Sequence, residues 1–176
     1  FTALYLSSKN GHTETTRALL ENKANPANPN LQDQWGQTAL HLSSQYGDTG
    51  TTQLLLNNKA NPANPNLQDK DGRTALHRSS QYGETETTRL LLENKANPAN
   101  PNVQDQWSQT ALHLSSQHGH METTRVLLEN KANPTLQAHW CNTNKDIQHN
   151  ASTARSRSPT SPTNPPDEST TTTAEF

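Results

Sequence analysis

The amino-acid sequence predicts an all-α fold, a solenoid of stacked helix-turn-helix units with hairpin-like loops, followed by a disordered C-terminal tail. Three observations lead to this prediction: the sequence repeats every 36 residues, each repeat contains two short helical segments, and large aliphatic residues are scarce. Leu, Ile, Val and Phe contribute 25 of the 176 residues, which is fewer than an ordinary globular core contains. Stacked repeats can bury a few leucines at fixed positions.

The repeat is clearest in a four-residue segment, Thr-Ala-Leu-His, that recurs every 36 residues. Its copies begin at Thr38, Thr74 and Thr110, and a less faithful copy begins at Thr2. Residues 31–47 and 103–119 are identical at 14 of 17 positions. We therefore predict an array over residues 1–140 and a tail over residues 141–176. The predicted units cover about residues 1–32, 33–68, 69–104 and 105–140.

The third unit shows how its first elements arise from the local sequence. Asp69-Lys70-Asp71-Gly72 is typical of a turn, because Gly72 can adopt a positive φ. Thr74 is a suitable N-cap for a first helix over residues 75–82. Gly83 is expected to end that helix.

A second helix is predicted after Glu84-Thr85-Glu86, because acidic residues favour a helix N-terminus. It contains the leucines at positions 90–92 and is expected to end at about Asn94. The loop over residues 96–102, Ala-Asn-Pro-Ala-Asn-Pro-Asn, cannot continue a helix because its prolines restrict the backbone. Each unit is therefore a turn, a short helix, a second turn, a longer helix and a loop.

These features together resemble the ankyrin repeat. In the second unit the resemblance is carried by Asp33-Gln34-Trp35-Gly36-Gln37-Thr38-Ala39-Leu40-His41. In the fourth unit it is carried by Gly119-His120-Met121-Glu122, Leu127-Leu128 and Ala132-Asn133. The resemblance covers about residues 1–140 and implies an ankyrin-repeat solenoid.

Two residue pairs depart from the family pattern in every unit. The family's Ala-Ala pair is Ser7-Ser8, Ser43-Ser44, Ser79-Ser80 and Ser115-Ser116. Its Ile-Val pair is Thr15-Thr16, Thr51-Thr52, Thr87-Thr88 and Thr123-Thr124. A buried hydroxyl without a partner costs about 1–3 kcal/mol, although a helical Thr can donate to the carbonyl three or four residues earlier. We therefore expect a weakly stable array that frays from its ends.

The connection between units also departs from the family. Where the family has a helix-ending Gly, this chain has Lys23, Lys59, Lys95 and Lys131, and a positive φ would be strained at these residues. A second Ala-Asn-Pro, such as Ala63-Asn64-Pro65, is assigned as an insertion that lengthens the family's usual period by three residues. The fourth unit lacks the insertion. Extra length in an inter-unit loop costs little.

The resemblance implies a non-catalytic protein–protein interaction scaffold that binds its partner through the loop tips and the concave helix face. The implied contacts at the tips are Gln34, Trp35, Gln37, Lys70, Asp71, Arg73, Gln106, Trp107 and Gln109. Those on the first helices are Gln45, Tyr46, Gln81, Tyr82, Gln117 and His118. Exposed aromatic residues at such sites fit binding hot spots. In the alternative interpretation, Trp35 and Trp107 simply pack on the neighbouring turn.

Two other functional interpretations stay open. The chain is alternatively a substrate-targeting segment of a larger enzyme, such as a kinase or ubiquitin ligase, or a decayed, recently duplicated fragment without a selected partner. It begins with Phe1 and its single methionine is Met121, so we expect it to be part of a longer protein.

Composition and motifs argue against several functional classes. The 14 basic and 16 acidic residues give a net charge of −2, which is unlike the basic surface of a nucleic-acid-binding protein. No apolar run approaches the roughly 18 residues of a membrane span. No motif indicates a cofactor, and Asp33, Asp69 and Asp105 are expected to form turns rather than to act as catalytic acids. The oligomeric state stays open.

The histidine and cysteine residues are candidates for metal binding or nucleophilic catalysis. The resemblance implies that His41, His77 and His113 are framework residues that hydrogen-bond locally between units. His118 and His120 lie near His113 in sequence, but nothing brings four ligands to one point. Cys141 is expected to be a free thiol at the end of the array, without an activating base.

The tail has a different composition from the array. Residues 152–173 are rich in Ser, Thr and Pro and are expected to be disordered. Trp140-Cys141-Asn142-Thr143 mimics Trp35-Gly36-Gln37-Thr38, but no Ala-Leu-His follows, so we expect the array to lack a C-terminal cap. Ser158-Pro159 and Ser161-Pro162 are candidate phosphorylation sites, and Asn150-Ala151-Ser152 is a glycosylation sequon.

Overall fold

The computed structural model describes residues 1–138, which contain four helix pairs and no strand. We call the first helix of each pair an inner helix and the second an outer helix. The inner helices are α1 (Ala3–Lys9), α3 (Ala39–Gln45), α5 (Ala75–Tyr82) and α7 (Ala111–Gln117). The outer helices are α2 (Thr13–Leu20), α4 (Thr49–Leu56), α6 (Thr85–Leu92) and α8 (Met121–Glu129). The predicted all-α fold is confirmed, whereas the predicted tail lies outside the described residues.

The helix pairs stack side by side in chain order. Each inner helix packs against the next inner helix, and each outer helix packs against the next outer helix. None of the helices in residues 1–138 has the length and apolar character needed to cross a membrane.

A Thr-His pair caps three of the four inner helices, α3, α5 and α7. In α3 the backbone N–H of Thr38 donates to Nδ1 of His41 at 3.1 Å, and the Thr38 hydroxyl lies 2.8 Å from the same nitrogen. Thr74 and His77 repeat both contacts at 3.1 and 2.9 Å. Gly83 follows α5 with a φ of 75°. The first helix predicted for the third unit is therefore confirmed, with its N-cap and its C-terminal glycine.

The second helix of the third unit is shorter than predicted, because α6 ends two residues before Asn94. The Asn94 side chain accounts for this early end: its Oδ1 accepts the N–H groups of Ala96 at 3.1 Å and Asn97 at 2.9 Å. Such a local turn competes with the helical backbone bonds. Asn22 and Asn58 form the same turn in the first two units.

The three-residue insertion lies earlier in the loop than the sequence suggested. In the third unit the N–H of Ala99 donates to the carbonyl of Leu91 at 2.8 Å, and Ala99 is buried. In the fourth unit, which lacks the insertion, buried Ala132 makes the equivalent bond to Leu127 at 3.0 Å. The second alanine of each long loop therefore occupies the family's alanine position. The assignment of Ala63-Asn64-Pro65 as the inserted residues is wrong.

The insertion also determines where the lysine backbone is strained. Lys131, in the short loop, adopts a φ of 67°, which is left-handed. The other three lysines do not adopt a positive φ, because the longer loop removes the need for a tight left-handed turn. These three are Lys23, Lys59 and Lys95. The expected strain is therefore restricted to the fourth unit.

Leucines from inner and outer helices form the apolar core, which we call the leucine layer. It consists chiefly of Leu40, Leu55, Leu76, Leu91 and Leu127, none of which is more than 1% exposed. The layer continues from one helix pair to the next, so every unit is buried partly by its neighbours. This is the packing that a solenoid requires.

A second buried layer, the hydroxyl layer, joins each inner helix to its outer helix through a Ser–Thr contact of 2.8 to 2.9 Å. Its pairs are Ser7–Thr16, Ser43–Thr52, Ser79–Thr88 and Ser115–Thr124. Each serine hydroxyl also donates to a carbonyl three residues earlier, within 3.3 Å. The expectation of unpaired threonines is wrong at these positions, because the serine and threonine substitutions complement each other.

Other buried hydroxyls do lack a partner among the described residues. Thr87 Oγ1 is one, and the second serines Ser8, Ser44 and Ser80 are the others. Thr87 is 1% exposed and the three serines are fully buried. The expected cost of unpaired buried hydroxyls therefore applies to these residues.

Candidate protein-binding surface

Each loop tip is built around one aspartate. Oδ1 of Asp33 accepts the backbone N–H groups of Trp35 at 2.9 Å and Gln37 at 2.8 Å. Asp69 and Asp105 make the same pair of bonds at the next two tips. The turn-forming role expected for these aspartates is confirmed.

Successive tips are joined by backbone hydrogen bonds. The N–H of Lys70 donates to the carbonyl of Trp35 at 3.0 Å, and the N–H of Gln106 donates to the carbonyl of Asp71 at 2.9 Å. Gly36 allows this close approach: its φ is 77°, and a Cβ there would lie 2.9 Å from the Lys70 nitrogen. The tips therefore form a continuous ridge rather than separate loops.

The two tip tryptophans are half-exposed, and each contacts one neighbouring side chain. Trp35 is 49% exposed, with its ring 5.6 Å from that of Phe1. Trp107 is 42% exposed, and the Arg73 guanidinium lies 5.0 Å from its ring centre, within cation–π range. Each tryptophan thus packs on a neighbour and also keeps a large accessible area.

Arg73 connects the tip ridge to the inner helices. Its Nε lies 3.2 Å from Oδ2 of buried Asp105, and its Nη1 donates to Oε1 of Gln81 at 3.2 Å. Tip and helix side chains together line an open cavity of about 310 Å³. Its lining residues are Arg73, Trp107, Gln109 and Gln117. The ridge and the ends of the inner helices therefore belong to one surface.

An aromatic residue lies at the C-terminal end of three successive inner helices. Tyr46 is 52% exposed and Tyr82 is 48% exposed, and His118 is also exposed. We call Tyr46, Tyr82 and His118 the aromatic row. Each is preceded by a glutamine that is partly or fully accessible: Gln45, Gln81 and Gln117.

Most of the predicted contact residues are exposed or partly exposed. Besides the residues just described, these are Gln34, Gln37, Lys70, Asp71, Arg73 and Gln106. Gln109 differs, since it is only 8% exposed. Its carbonyl accepts a bond from His77, and its Nε2 donates to Gln117 at 3.4 Å. Gln109 therefore serves mainly to join units and presents only a small part of its side chain to the open cavity, so its role as a contact residue stays a prediction.

His41 and His77 link neighbouring units. The N–H of Thr38 can only donate, so Nδ1 of His41 accepts it, and the proton on Nε2 goes to the carbonyl of Arg73 at 3.0 Å. His77 is arranged in the same way, with the carbonyl of Gln109 at 3.1 Å. Burial lowers the pKa of His77 to about 4, and burial also lowers the pKa of His41. Both rings are therefore neutral framework groups at pH 7.

Two largely buried ion pairs were not predicted from the sequence: the Arg73–Asp105 pair described above, and a pair between Arg78 and Asp69. Arg78 lies on α5 where the neighbouring inner helices carry Leu42 and Leu114, and its guanidinium bonds to Asp69. Arg78 is 12% exposed and the Asp69 side chain is 2% exposed. The exchange of Leu for Arg in the third unit was visible in the sequence and could have indicated this pair.

The surface formed by the ridge and the aromatic row carries charges of both signs, and two carboxylates, Asp48 and Glu84, adjoin the aromatic row two residues beyond its tyrosines. Lys70 and Asp71 are adjacent and of opposite sign, while Arg73 and Arg78 are paired with aspartates. Within residues 1–138, no group of His, Cys, Asp or Glu side chains is arranged to hold a metal ion. The accessible groups on this surface are therefore aromatic rings, side-chain amides and a mixture of charges.

Comparison with known proteins identifies one family. A family model described as ankyrin repeats, in three copies, matches residues 1–63 and 50–138. No curated protein matches the chain. The matched residues include every helix described above.

Proposed function

Because this chain belongs to the ankyrin repeat family, whose members are generally protein–protein interaction modules, we propose that it binds another protein through its tip ridge and aromatic row. We further propose that the chain contributes no catalysis of its own. The chain would then recognise its partner through aromatic and amide side chains and would not catalyse a reaction.

One observation carries this proposal: four large aromatic rings remain about half-exposed on a surface that the backbone holds rigidly. They are Trp35, Tyr46, Tyr82 and Trp107. Backbone hydrogen bonds join the tips to one another. Arg73 joins the tip of the third unit to α5 through its bond to Gln81. Rigid, partly accessible aromatic rings are enriched at binding hot spots, because a partner can bury them at a low cost in entropy.

The test begins with capture of the protein partner by the full chain through crosslinking and affinity purification. The captured partner is then titrated against the double variant Trp35→Ala/Trp107→Ala. We expect the double variant to bind at least about tenfold more weakly, since hot-spot aromatics contribute about 1–2 kcal/mol or more each. Circular dichroism should show unchanged helical content.

A matched control removes an exposed apolar side chain elsewhere. Met121 is 77% exposed at the start of α8, so Met121→Ala should leave the affinity unchanged. Equal affinity of the double tryptophan variant and the parent chain would exclude the ridge as the binding surface. If the double variant loses helical content together with affinity, the two tryptophans stabilise the fold by packing rather than contact the partner.

A further inference from the structure

The aromatic row repeats with the period of the solenoid. Tyr46, Tyr82 and His118 each lie at the end of an inner helix, and successive members are 36 residues apart. Since adjacent inner helices pack side by side, successive rings are separated by one helix-to-helix spacing. That spacing is about 8–10 Å for packed helices.

A polyproline II helix has nearly the same repeat. It contains three residues per turn and rises about 3.1 Å per residue, so residues three apart lie about 9 Å apart on one edge. A proline at every third position would therefore meet one ring of the aromatic row after another. Aromatic surfaces are the usual docking sites for such segments, because proline rings pack against them.

Besides the aromatic rings, a bound polyproline II segment needs hydrogen-bond donors, and the glutamines beside the aromatic row can provide them. Polyproline II leaves its carbonyl groups without internal partners. Arg73 can only donate, so its bond to Gln81 occupies the amide oxygen and turns the N–H groups of that amide away from the arginine. Gln117 likewise uses its oxygen to accept the bond from Gln109. Both amides can therefore donate to carbonyls of a bound segment.

We propose that the aromatic row binds a proline-rich segment of a partner protein, held as a polyproline II helix with a proline at every third residue. This inference rests on the proposed function and specifies its partner. The contact runs across the inner helices, one proline to each unit.

The chain itself supplies a suitable probe sequence. Residues 158–166, Ser-Pro-Thr-Ser-Pro-Thr-Asn-Pro-Pro, are uncharged and carry Pro159, Pro162 and Pro165 at every third position. A synthetic peptide of this sequence is titrated into the full chain in which these three prolines are replaced by alanine. That substitution removes the chain's own copy of the motif as a competitor. Binding is followed by calorimetry and by NMR shifts of the tyrosine rings.

We expect the peptide to bind and to shift the Tyr46 and Tyr82 signals. Tyr46→Ala and Tyr82→Ala should each weaken binding about fivefold, since an anchoring aromatic contributes about 1 kcal/mol or more. Tyr82→Phe should retain binding because the ring is kept, and Met121→Ala should leave it unchanged. A peptide with alanine at its three spaced prolines should not bind.

Equal binding of the alanine peptide, or full binding by the Tyr82→Ala chain, would overturn the proposal. If the unsubstituted chain binds the peptide much more weakly than the tail-substituted chain, the chain's own motif occupies the row, and the assignment to a partner is wrong. A chain that captures a protein through Trp35 and Trp107 but ignores the peptide would keep the proposed function and lose only this inference.

Discussion

The leucine layer and the hydroxyl layer are equally deep in the stack but are held together differently. Leu55 and Leu91 are fully buried, as are Thr52 and Thr88. The leucines gain stability in proportion to the apolar area that leaves water, whatever their exact orientation. The threonines must instead recover the hydrogen bonds that they lose to water, which requires a serine at one defined position.

This difference separates stability from specificity. A buried hydroxyl pair contributes little net free energy, because its bond replaces bonds to water. It penalises a sliding of the inner helix against the outer helix, since a shifted helix would leave the buried threonine hydroxyl without its serine partner. We infer that the leucines stabilise the stack and that the Ser–Thr pairs fix the register within each helix pair.

The largest expected effect comes from the leucine layer. Leu91→Ala should lower the free energy of unfolding by about 2–5 kcal/mol, because it removes buried methyl groups and leaves a cavity. Leu91 is 0% exposed and lies in an interior unit with neighbours on both sides. The structure therefore cannot easily collapse into the cavity. Urea unfolding followed by circular dichroism measures the change.

Leu128 provides the matched control for Leu91. It lies on α8 and is 46% exposed, so Leu128→Ala should change the free energy of unfolding by no more than about 0.5 kcal/mol. Similar losses for the two variants would mean that α6 does not bury its leucine as described, and the contrast between the layers would disappear.

An intermediate effect is expected from the histidines that join units, since acid should weaken the polar framework and leave the leucines unaffected. Burial lowers the pKa of His77 to about 4, whereas a histidine in the unfolded chain titrates near 6.5. Between these values the unfolded chain binds more protons, so stability falls as the pH decreases below about 6.5. His77 should contribute a slope of up to about 1.4 kcal/mol per pH unit.

The slope is measured by urea unfolding between pH 7 and pH 5. His77→Gln should reduce it, because glutamine binds no proton, even if the variant is less stable at pH 7. The control is Met121→Ala, since Met121 is exposed and carries no titratable group, so this substitution should leave the slope unaltered. A His77→Gln chain with the parent's slope would show that this ring does not sense pH.

Much of this architecture could be predicted from the sequence, because the repeat places the same local signals in every unit. Thr74 and Gly83 defined α5 correctly, since caps and left-handed glycines act through nearby backbone groups. The end of α6 was misplaced because the Asn94 side chain competes with the helix. The insertion was misplaced because the loop contains two identical Ala-Asn-Pro segments, and Ala99 differs from Ala96 only in the structure, by its burial and its backbone bond to Leu91.

The surface was less predictable, because it depends on contacts between units. The positions of the tips and of the aromatic row follow from the repeat, but the burial of Gln109 depends on its bonds to His77 and Gln117. The Ser–Thr pairs could have been predicted from the sequence. Both family pairs change together in every unit, and the bonded residues are nine apart.

The smallest expected effects come from adjacent threonines on α6, and they should have opposite signs. Within residues 1–138 the Thr87 hydroxyl has no hydrogen-bond partner, whereas the Thr88 hydroxyl lies 2.8 Å from that of Ser79. Thr87→Val should therefore stabilise the chain by about 1 kcal/mol, because it removes an unpaired buried hydroxyl. Thr88→Val should destabilise it by about 1 kcal/mol, because it breaks a bond in the hydroxyl layer.

The double variant Ser79→Ala/Thr88→Val separates the bond from the shape of the side chain. Replacing both partners by apolar groups removes both buried hydroxyls. Ser79→Ala also gives up the bond that the Ser79 hydroxyl donates to the Leu76 carbonyl, so the second substitution should recover only part of the loss caused by Thr88→Val. Thermal unfolding measures all four chains, and 1 kcal/mol corresponds to a shift of a few degrees for an array of this size. If both single variants gain stability, the hydrogen bond between the hydroxyls contributes nothing. The hydroxyl layer would then stabilise the stack only through the apolar area that it buries, as the leucine layer does. If both lose stability, Thr87 also has a partner, and its hydroxyl belongs to the polar framework.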